Sequence, residues 1–252
     1  ASDFSLNPDD LLRVRAFDWD EGFRDIMKNG GFDAVVGNPP YIRMEGFAPI
    51  KAYLKAHFQA HEERADVYTY FLERTLGLIN PAGLIGMIVS NKFIVAKYGQ
   101  PLRNTIFQRG HVRSITDFAG VRVFKGATVR TIVIVLSRRE NKLYGNTYYV
   151  PPPSSDEFSA IEYGQISVGS YAEKAQQILD ASQLTAEPWQ LIPAGRADLL
   201  RRLANTFPKL TEAFGWHPLF GIKTGLNEAF VIDQHMRDQL LSDDEKNEEV
   251  LL

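Results

Sequence analysis

Apolar residues in the first 140 positions fall into short runs separated by helix-length stretches. Phe32–Val36 (FDAVV) is stopped by Gly37-Asn38-Pro39-Pro40 and reads as a buried strand that delivers Asn38 to its carboxyl end. Asp66–Leu78 sets Val67, Phe71, Leu72, Leu76 and Leu78 among good helix formers. It closes on Asn80-Pro81-Ala82-Gly83, which predicts a helix and then a turn. Leu84–Val89 (LIGMIV) is the next buried strand, and Pro101–Phe107 a helix with proline near its start. Val112–Phe118 and the β-branched Val129–Leu136 are further strands, and Arg13–Ala16 is a short strand candidate. The alternation predicts an α/β fold, a mainly parallel sheet with helices on its faces. Only Ala119–Thr128 separates the last two strands, too short for a helical crossover, so they are expected to pair antiparallel.

Beyond Leu136 the pattern changes. Pro151-Pro152-Pro153-Ser154-Ser155 reads as a stiff polar linker, and helical stretches follow at Tyr171–Ala181 and Ala194–Asn205. His217–Asp233, with two glycines and a return to β-branched residues, reads as the opening of a separate strand-rich unit before an acidic helical tail. The expected organisation is an α/β domain over 1–150, a linker with a helix over 151–193, and the start of a second domain over 194–252. No internal repeat is present.

Composition narrows the chemistry. The 252 residues are 44% apolar and 23% charged, as in a soluble globular protein, and contain no cysteine. That excludes a disulfide framework, a cysteine-ligated zinc and a cysteine nucleophile. No apolar run approaches ~18 residues, so no membrane span is expected. The acidic N-terminal stretch lacks a signal core, and a cytoplasmic protein is expected. The net charge is −3, but Lys92–Lys142 holds eleven Lys/Arg against Asp117 and Glu140, while Asp233–Glu249 holds seven acids against Arg237 and Lys246. The basic stretch is compatible with a phosphate-binding face, but on charge alone a solvated surface is the favoured reading.

The most informative segment is Gly31-Phe32-Asp33-Ala34-Val35-Val36-Gly37-Asn38-Pro39-Pro40-Tyr41. Two prolines fix their φ angles and remove two N–H donors, and Pro39 keeps Asn38 out of the helical region. A stiff loop at the end of a strand then presents an amide oxygen, a backbone carbonyl and an aromatic face. That set suits a planar group carrying –NH2: two acceptors hold its hydrogens and the ring stacks on Tyr41. An exocyclic amine held this way has its lone pair turned out of the ring plane, ready for a methyl donor in line. Positioning and electrostatics then drive the transfer without a strong base. The alternative is a simple tight turn after a strand.

This segment resembles motif IV of the gamma-class N6-adenine DNA methyltransferases, most of all the long type IIG restriction–modification enzymes. Ala16-Phe17-Asp18-Trp19 resembles motif III, which implies that Asp18 and Trp19 contact the adenine of S-adenosylmethionine. Tyr68-Thr69-Tyr70-Phe71-Leu72-Glu73 resembles motif V and puts Phe71 on that same adenine. Gly120-Val121-Arg122-Val123-Phe124 resembles motif VIII and sets Phe124 opposite Tyr41 around a flipped base. Gly221–Asp233 resembles the opening of the family's target-recognition domain. The resemblance implies a partial Rossmann-like S-adenosylmethionine-dependent methyltransferase sheet followed by the start of that domain. The implied catalytic loop is Asn38, Pro39, Pro40 and Tyr41, with Asn38 also touching the cofactor. Arg122, Lys125, Arg130, Lys223 and Asn227 become candidate contacts to double-stranded DNA, and no metal is expected.

The family's glycine-rich motif I has no counterpart before Asp18, and the recognition domain has only begun. The expectation is an internal fragment of a longer enzyme, inactive alone and with an incomplete cofactor site. Its Phe32–Val36 strand would be a bare sheet edge, open to self-association. Protein-glutamine and RNA methyltransferases share an Asn-Pro-Pro-Tyr loop and are the alternative reading, and a non-catalytic DNA-specificity module is a third. His57 and His61, at metal-ligand spacing, read as a solvated helix face. Trp189 and Trp216 read as packing residues.

Overall fold

A computed structural model describes residues 17–42, 46, 50–121, 123–124, 130–139, 145–192, 194–215 and 233–243. They fall in two compact units, residues 1–200 and 201–252. In the first unit the described elements are α1 (Trp19–Gly22), α2 (Arg24–Lys28), β1 (Phe32–Gly37), α3 (Lys51–His57), α4 (Tyr68–Leu78), β2 (Ile79–Ser90), α5 (Lys92–Val95) and α6 (Gln100–Arg109). They continue with β3 (Gly110–Asp117), β4 (Thr131–Arg138), β5 (Thr147–Val150), α7 (Ser155–Glu162), α8 (Val168–Ala175) and β6 (Gln177–Leu179). After these come α9 (Ala194–Thr206) and, in the second unit, α10 (Leu210–Phe214) and α11 (Gln234–Asp243). The Arg13–Ala16 strand and the His217–Ile232 part of the expected second-domain opening lie outside the described residues.

The six strands make one sheet in the order β1-β2-β4-β3-β5-β6. β1 pairs parallel with β2, and β3 with β5. β4 runs antiparallel between β2 and β3, as the short Ala119–Thr128 connection requires, and β6 is antiparallel to β5. The sheet is therefore mixed, and β1, β2, β3 and β5 all end at one edge.

Local sequence explains the register. The turn expected at Asn80–Gly83 is present, but as a bulge inside β2: Phe32 pairs with Ile79 and Ala34 with Leu84. Asn80 folds it, its Oδ1 accepting from the Ala82 N–H at 2.9 Å and its Nδ2 donating to Asp33 at 2.6 Å. Gly31 enters β1 at φ 116°, and a Cβ there would stand 2.3 Å from the Leu78 carbonyl oxygen, so no other residue fits. After the bulge Ile85, Met87 and Val89 alternate into the core, meeting Tyr68, Leu72 and Leu76 from one face of α4. Ile132, Ile134 and Leu136 of β4 and Leu102 and Ile106 of α6 complete that core.

The stretch from 151 to 189 is more structured than its proline-rich start indicates. Ser154 caps α7 in a reciprocal capping box with Glu157, so part of the expected linker is a helix start. The helix expected over Tyr171–Ala181 ends at Ala175. Gln176 turns extended, and Gln177–Leu179 join the sheet against Thr147–Tyr149. Strand pairing outweighs the helix propensity of those residues. Trp189 is buried as expected, its ring centroid 5.7 Å from Phe93 and its Nε1–H donating to the Thr185 carbonyl at 2.7 Å. Trp216 lies outside the described residues.

Among the described residues the basic stretch does not form one face. Lys92 and Arg130 stand at the edge where β2 ends and β4 begins, whereas Arg109, Arg138 and Arg139 lie at the opposite edge. Arg103 is interior, with 1% of its surface exposed, and donates to the carbonyls of Ala186, Phe93 and Ala96 at 2.9, 2.5 and 2.8 Å. Among the described residues no helix is long and apolar enough to cross a membrane.

Candidate active site

β1 delivers the Asn-Pro-Pro-Tyr loop to the edge where the parallel strands end, the place where open α/β sheets bind ligands. Pro39 is buried, while Asn38 is exposed and makes no hydrogen bond to any described residue. The far end of the loop is tied down twice. The Tyr41 hydroxyl donates to the Ile88 carbonyl of β2 at 3.1 Å, and the Val67 N–H at the start of α4 donates to the Ile42 carbonyl at 3.0 Å. Burial raises the Tyr41 phenol above its ordinary pKa, so it stays a neutral donor. A free amide on a rigid, anchored loop is preorganised to receive a ligand.

Beside the loop lies a cavity of about 670 Å³. Gly37, Asn38, Pro39 and Pro40 form one part of its wall, and Trp19, Phe23, Phe32, Phe58 and Phe71 supply aromatic faces. Trp19 stacks on Phe23 at 5.8 Å, with Phe32 edge-on to Phe23 at 5.0 Å. Phe71, Arg74, Thr75 and Leu78 line it from a single face of α4. A mostly apolar, aromatic-walled chamber with one guanidinium and one amide suits a heteroaromatic ligand carrying polar substituents.

The structure brings Trp19, Asn38, Pro39, Pro40 and Phe71 together around that cavity. Asp18 is not among its walls; its Oδ1 caps α1, accepting from the N–H groups of Asp20 and Glu21 at 2.8 and 3.1 Å. Tyr41 and Phe124 meet with ring centroids 6.1 Å apart and planes tilted by 58°. Arg130 is exposed at the start of β4, on the loop's side of the sheet. Arg122, Lys125, Lys223 and Asn227 lie outside the described residues.

Phe23, Phe32, Phe58, Tyr70 and Arg74 are wall residues that sequence reasoning missed. For Arg74 a signal existed, since it follows Phe71 by three positions on a helix and so shares its face. The histidine expectation needs correction. α3 ends at His57, whose exposed ring stacks on Tyr53 at 4.1 Å. His61 lies past the helix end with only 8% of its side chain exposed, its Nδ1 2.8 Å from the Tyr70 hydroxyl, and burial lowers its pKa. It is not on a solvated face.

Asp117, buried at the end of β3, accepts from the Ala119 N–H at 2.8 Å and the Tyr149 hydroxyl at 3.3 Å, and so shapes the turn that leads towards Phe124. Burial raises its pKa, outweighing those hydrogen bonds and Arg130. The folded chain therefore binds the proton more tightly than the unfolded chain. Stability falls as pH rises through the window between the ordinary aspartate pKa and the raised one. Asp117→Asn keeps an acceptor and removes that penalty. Its melting temperature should exceed the wild type's at neutral pH, with the gain fading as pH drops into the carboxylate range. A variant less stable at neutral pH than at acid pH, relative to wild type, contradicts this.

A sheet of this class, with a rigid amide-bearing loop at its strand ends, is the frame of a methyltransferase-type α/β domain. The comparison with protein families agrees: residues 6–124 match the family described as Eco57I restriction-modification methylase. That stretch contains Asp18, the Asn38–Tyr41 loop, Phe71 and Phe124. The chain is 33% identical over 208 residues to the Type II methyltransferase M.PaeR7I of Pseudomonas aeruginosa, covering 81% of this chain and 36% of that protein. It is 28% identical over 229 residues to the Type II methyltransferase M.BstVI of Geobacillus stearothermophilus, covering 87% and 40%. The chain thus spans well under half the length of these relatives. Among solved structures it is similar to the type IIG restriction endonuclease BpuSI, at 13% identity and a TM-score of 0.48, covering 72% of this chain and 23% of that one.

Proposed function

We propose that this chain is part of an S-adenosylmethionine-dependent DNA methyltransferase that modifies N6 of a flipped adenine within a restriction–modification system. The observation that carries the reading is the unpartnered Asn38 amide at the wall of an aromatic cavity, on the loop whose Tyr41 meets Phe124. The names of the related methyltransferases support it, and so does the family of residues 6–124.

The cavity walls fit the purine end of S-adenosylmethionine: Trp19 and Phe71 would offer faces for a flat ring, and Arg74 would supply a charged donor. No glycine-rich loop for the methionine end is among the described residues. When bound, the cofactor supplies an electrophilic methyl group. Asn38 Oδ1 and the Pro39 carbonyl accept the two hydrogens of the target amine, and neither proline competes with an N–H. With both hydrogens held, the nitrogen lone pair points towards the methyl donor, and the surplus proton leaves after transfer.

An adenine inside a duplex is out of reach and must be turned out, which costs a few kcal/mol. Tyr41 and Phe124 offset that by stacking. Their rings now touch each other, and a base between them needs a gap of about 7 Å, twice the ~3.4 Å base-stacking spacing. Phe124→Ala should weaken binding of duplex DNA with an extruded base by about 1–3 kcal/mol, the value of one base–aromatic stack. A titration with duplex carrying an abasic site opposite the target would read it, and an unchanged affinity removes Phe124 from the base site.

The reading is tested by incubating the full-length polypeptide that contains this sequence with methyl-tritiated S-adenosylmethionine and duplex DNA. Label is expected in DNA. Label confined to protein or RNA supports the alternative amine acceptors, and DNA binding without any transfer supports the specificity module. Cytoplasmic location and contacts of Arg122, Lys125, Arg130, Lys223 and Asn227 with DNA phosphates belong to the same proposal. So does self-association through β1, which among the described residues pairs on one side only and leaves Val36 85% exposed. Light scattering from this chain should show mass growing with concentration, and a monomer at high concentration counts against it.

A further inference from the structure

Glu73 neither grips an amine nor stacks a base, yet three groups converge on it. Its side chain is buried in α4 at 5% exposure. Oε1 accepts from the Gln59 N–H at 3.0 Å and Oε2 from the Ala60 N–H at 2.7 Å. The Arg109 guanidinium, at the end of α6, is 3.5 Å away. The two N–H groups belong to the turn that follows α3, where the chain goes extended at Phe58. Ala60 sits fully buried in the main core at this turn.

The turn carries one wall of the cavity. Phe58 packs edge-on against Tyr70 with centroids 5.1 Å apart, and both line the chamber with Trp19 and Phe71. His61, just after the turn, meets the Tyr70 hydroxyl. A buried carboxylate is poor evidence of net stabilisation, because desolvation offsets most of its attraction. What it supplies is geometry: two directed bonds that a water-filled turn would not reproduce.

We infer that Glu73 is a positioning residue for the cofactor cavity, holding the 59–60 backbone so that Phe58 and Tyr70 close its wall. This rests on the proposed reading of the cavity as the S-adenosylmethionine site. The effect acts on cofactor binding and leaves the amine grip at Asn38 and the stacking pair Tyr41–Phe124 untouched.

The test uses the full-length polypeptide, with S-adenosylmethionine binding read by calorimetry and turnover read on duplex DNA. Glu73→Gln should raise the S-adenosylmethionine Kd about tenfold, the equivalent of one well-made contact. The kcat at saturating cofactor and the KM for DNA should stay within about twofold, a split that mere loss of folded protein cannot give. Phe58→Ala should raise the Kd similarly, and the double variant should be no worse than Phe58→Ala alone, because the two act through one wall. If Glu73→Gln is insoluble, Glu73→Asp draws the carboxylate back by one methylene and should show the same split. An unchanged Kd, additive losses, or a parallel fall in every parameter overturns the inference. Phe71→Ala separates the levels. Lost cofactor binding there but not in Glu73→Gln defeats the inference alone, and unchanged binding in Phe71→Ala defeats the cavity reading itself.

Discussion

Asn38→Ala should lower the rate of methyl transfer to DNA by about 10²–10³-fold, the scale of losing one preorganised polar group from a catalytic site. The reason is local. The amide is exposed, makes no hydrogen bond to any described residue, and stands on a loop fixed by two prolines and by the Tyr41–Ile88 bond. Its acceptor atom is therefore free to take a ligand, on a backbone that is already fixed. Because it supports no other described group, its removal should leave the melting temperature nearly unchanged. The Pro39 carbonyl would still accept one hydrogen of the amine, so a residual rate above background is expected. Initial rates with saturating cofactor and DNA measure it. A loss below about tenfold, or one matched by a fall in folded protein, would remove Asn38 from the chemistry.

Trp189→Ala should destabilise the first unit by about 3–5 kcal/mol, the usual cost of deleting a large buried aromatic. Trp189 is 2% exposed, its backbone N–H donates to the Ile94 carbonyl at 3.0 Å, and its ring packs on Phe93. Rings then follow one another towards the loop: Phe93 lies 6.2 Å from Tyr68, and Tyr68 lies 6.4 Å from Tyr41. A domain of this size loses about 2–4 °C per kcal/mol, so the melting temperature should fall by roughly 6–20 °C. Such a loss is a large share of the ~5–15 kcal/mol that holds a domain together. Thermal melts followed by near-ultraviolet dichroism read it directly. A shift under a few degrees would mean that residues 177–189 lie loosely on the sheet.

Much of the frame was legible because it rests on local rules. FDAVV ending in Gly-Asn-Pro-Pro can only be a strand running into a stiff loop, and the short connection after Phe118 forces an antiparallel return. The convergence of Tyr41 and Phe124 followed from a motif resemblance; neither spacing nor periodicity would give it. What was not legible depended on tertiary partners. Gln177–Leu179 carries no strand signal of its own and becomes one through β5. Phe58 and Tyr70 reach the cavity only because a turn between two helices is clamped by Glu73. The described part of the basic run is dispersed for a related reason: β3 and β4 run in opposite directions, so charges adjacent in sequence are sent to opposite edges of the sheet, and Arg103 is consumed by carbonyls. Some features were readable but went unread, such as Ser154-x-x-Glu157 as a helix start and Arg74 on the face of Phe71.

The most direct test of the account is the identity of the methylated nucleoside. DNA treated with the full-length polypeptide and isotopically labelled S-adenosylmethionine would be digested to nucleosides and resolved by mass spectrometry. An amine held by Asn38 and Pro39 predicts label in N6-methyladenine, absent when Asn38 is replaced by alanine. Label in 5-methylcytosine, or in N6-methyladenine made equally well by Asn38→Ala, would contradict the claim that this loop presents the amine for transfer.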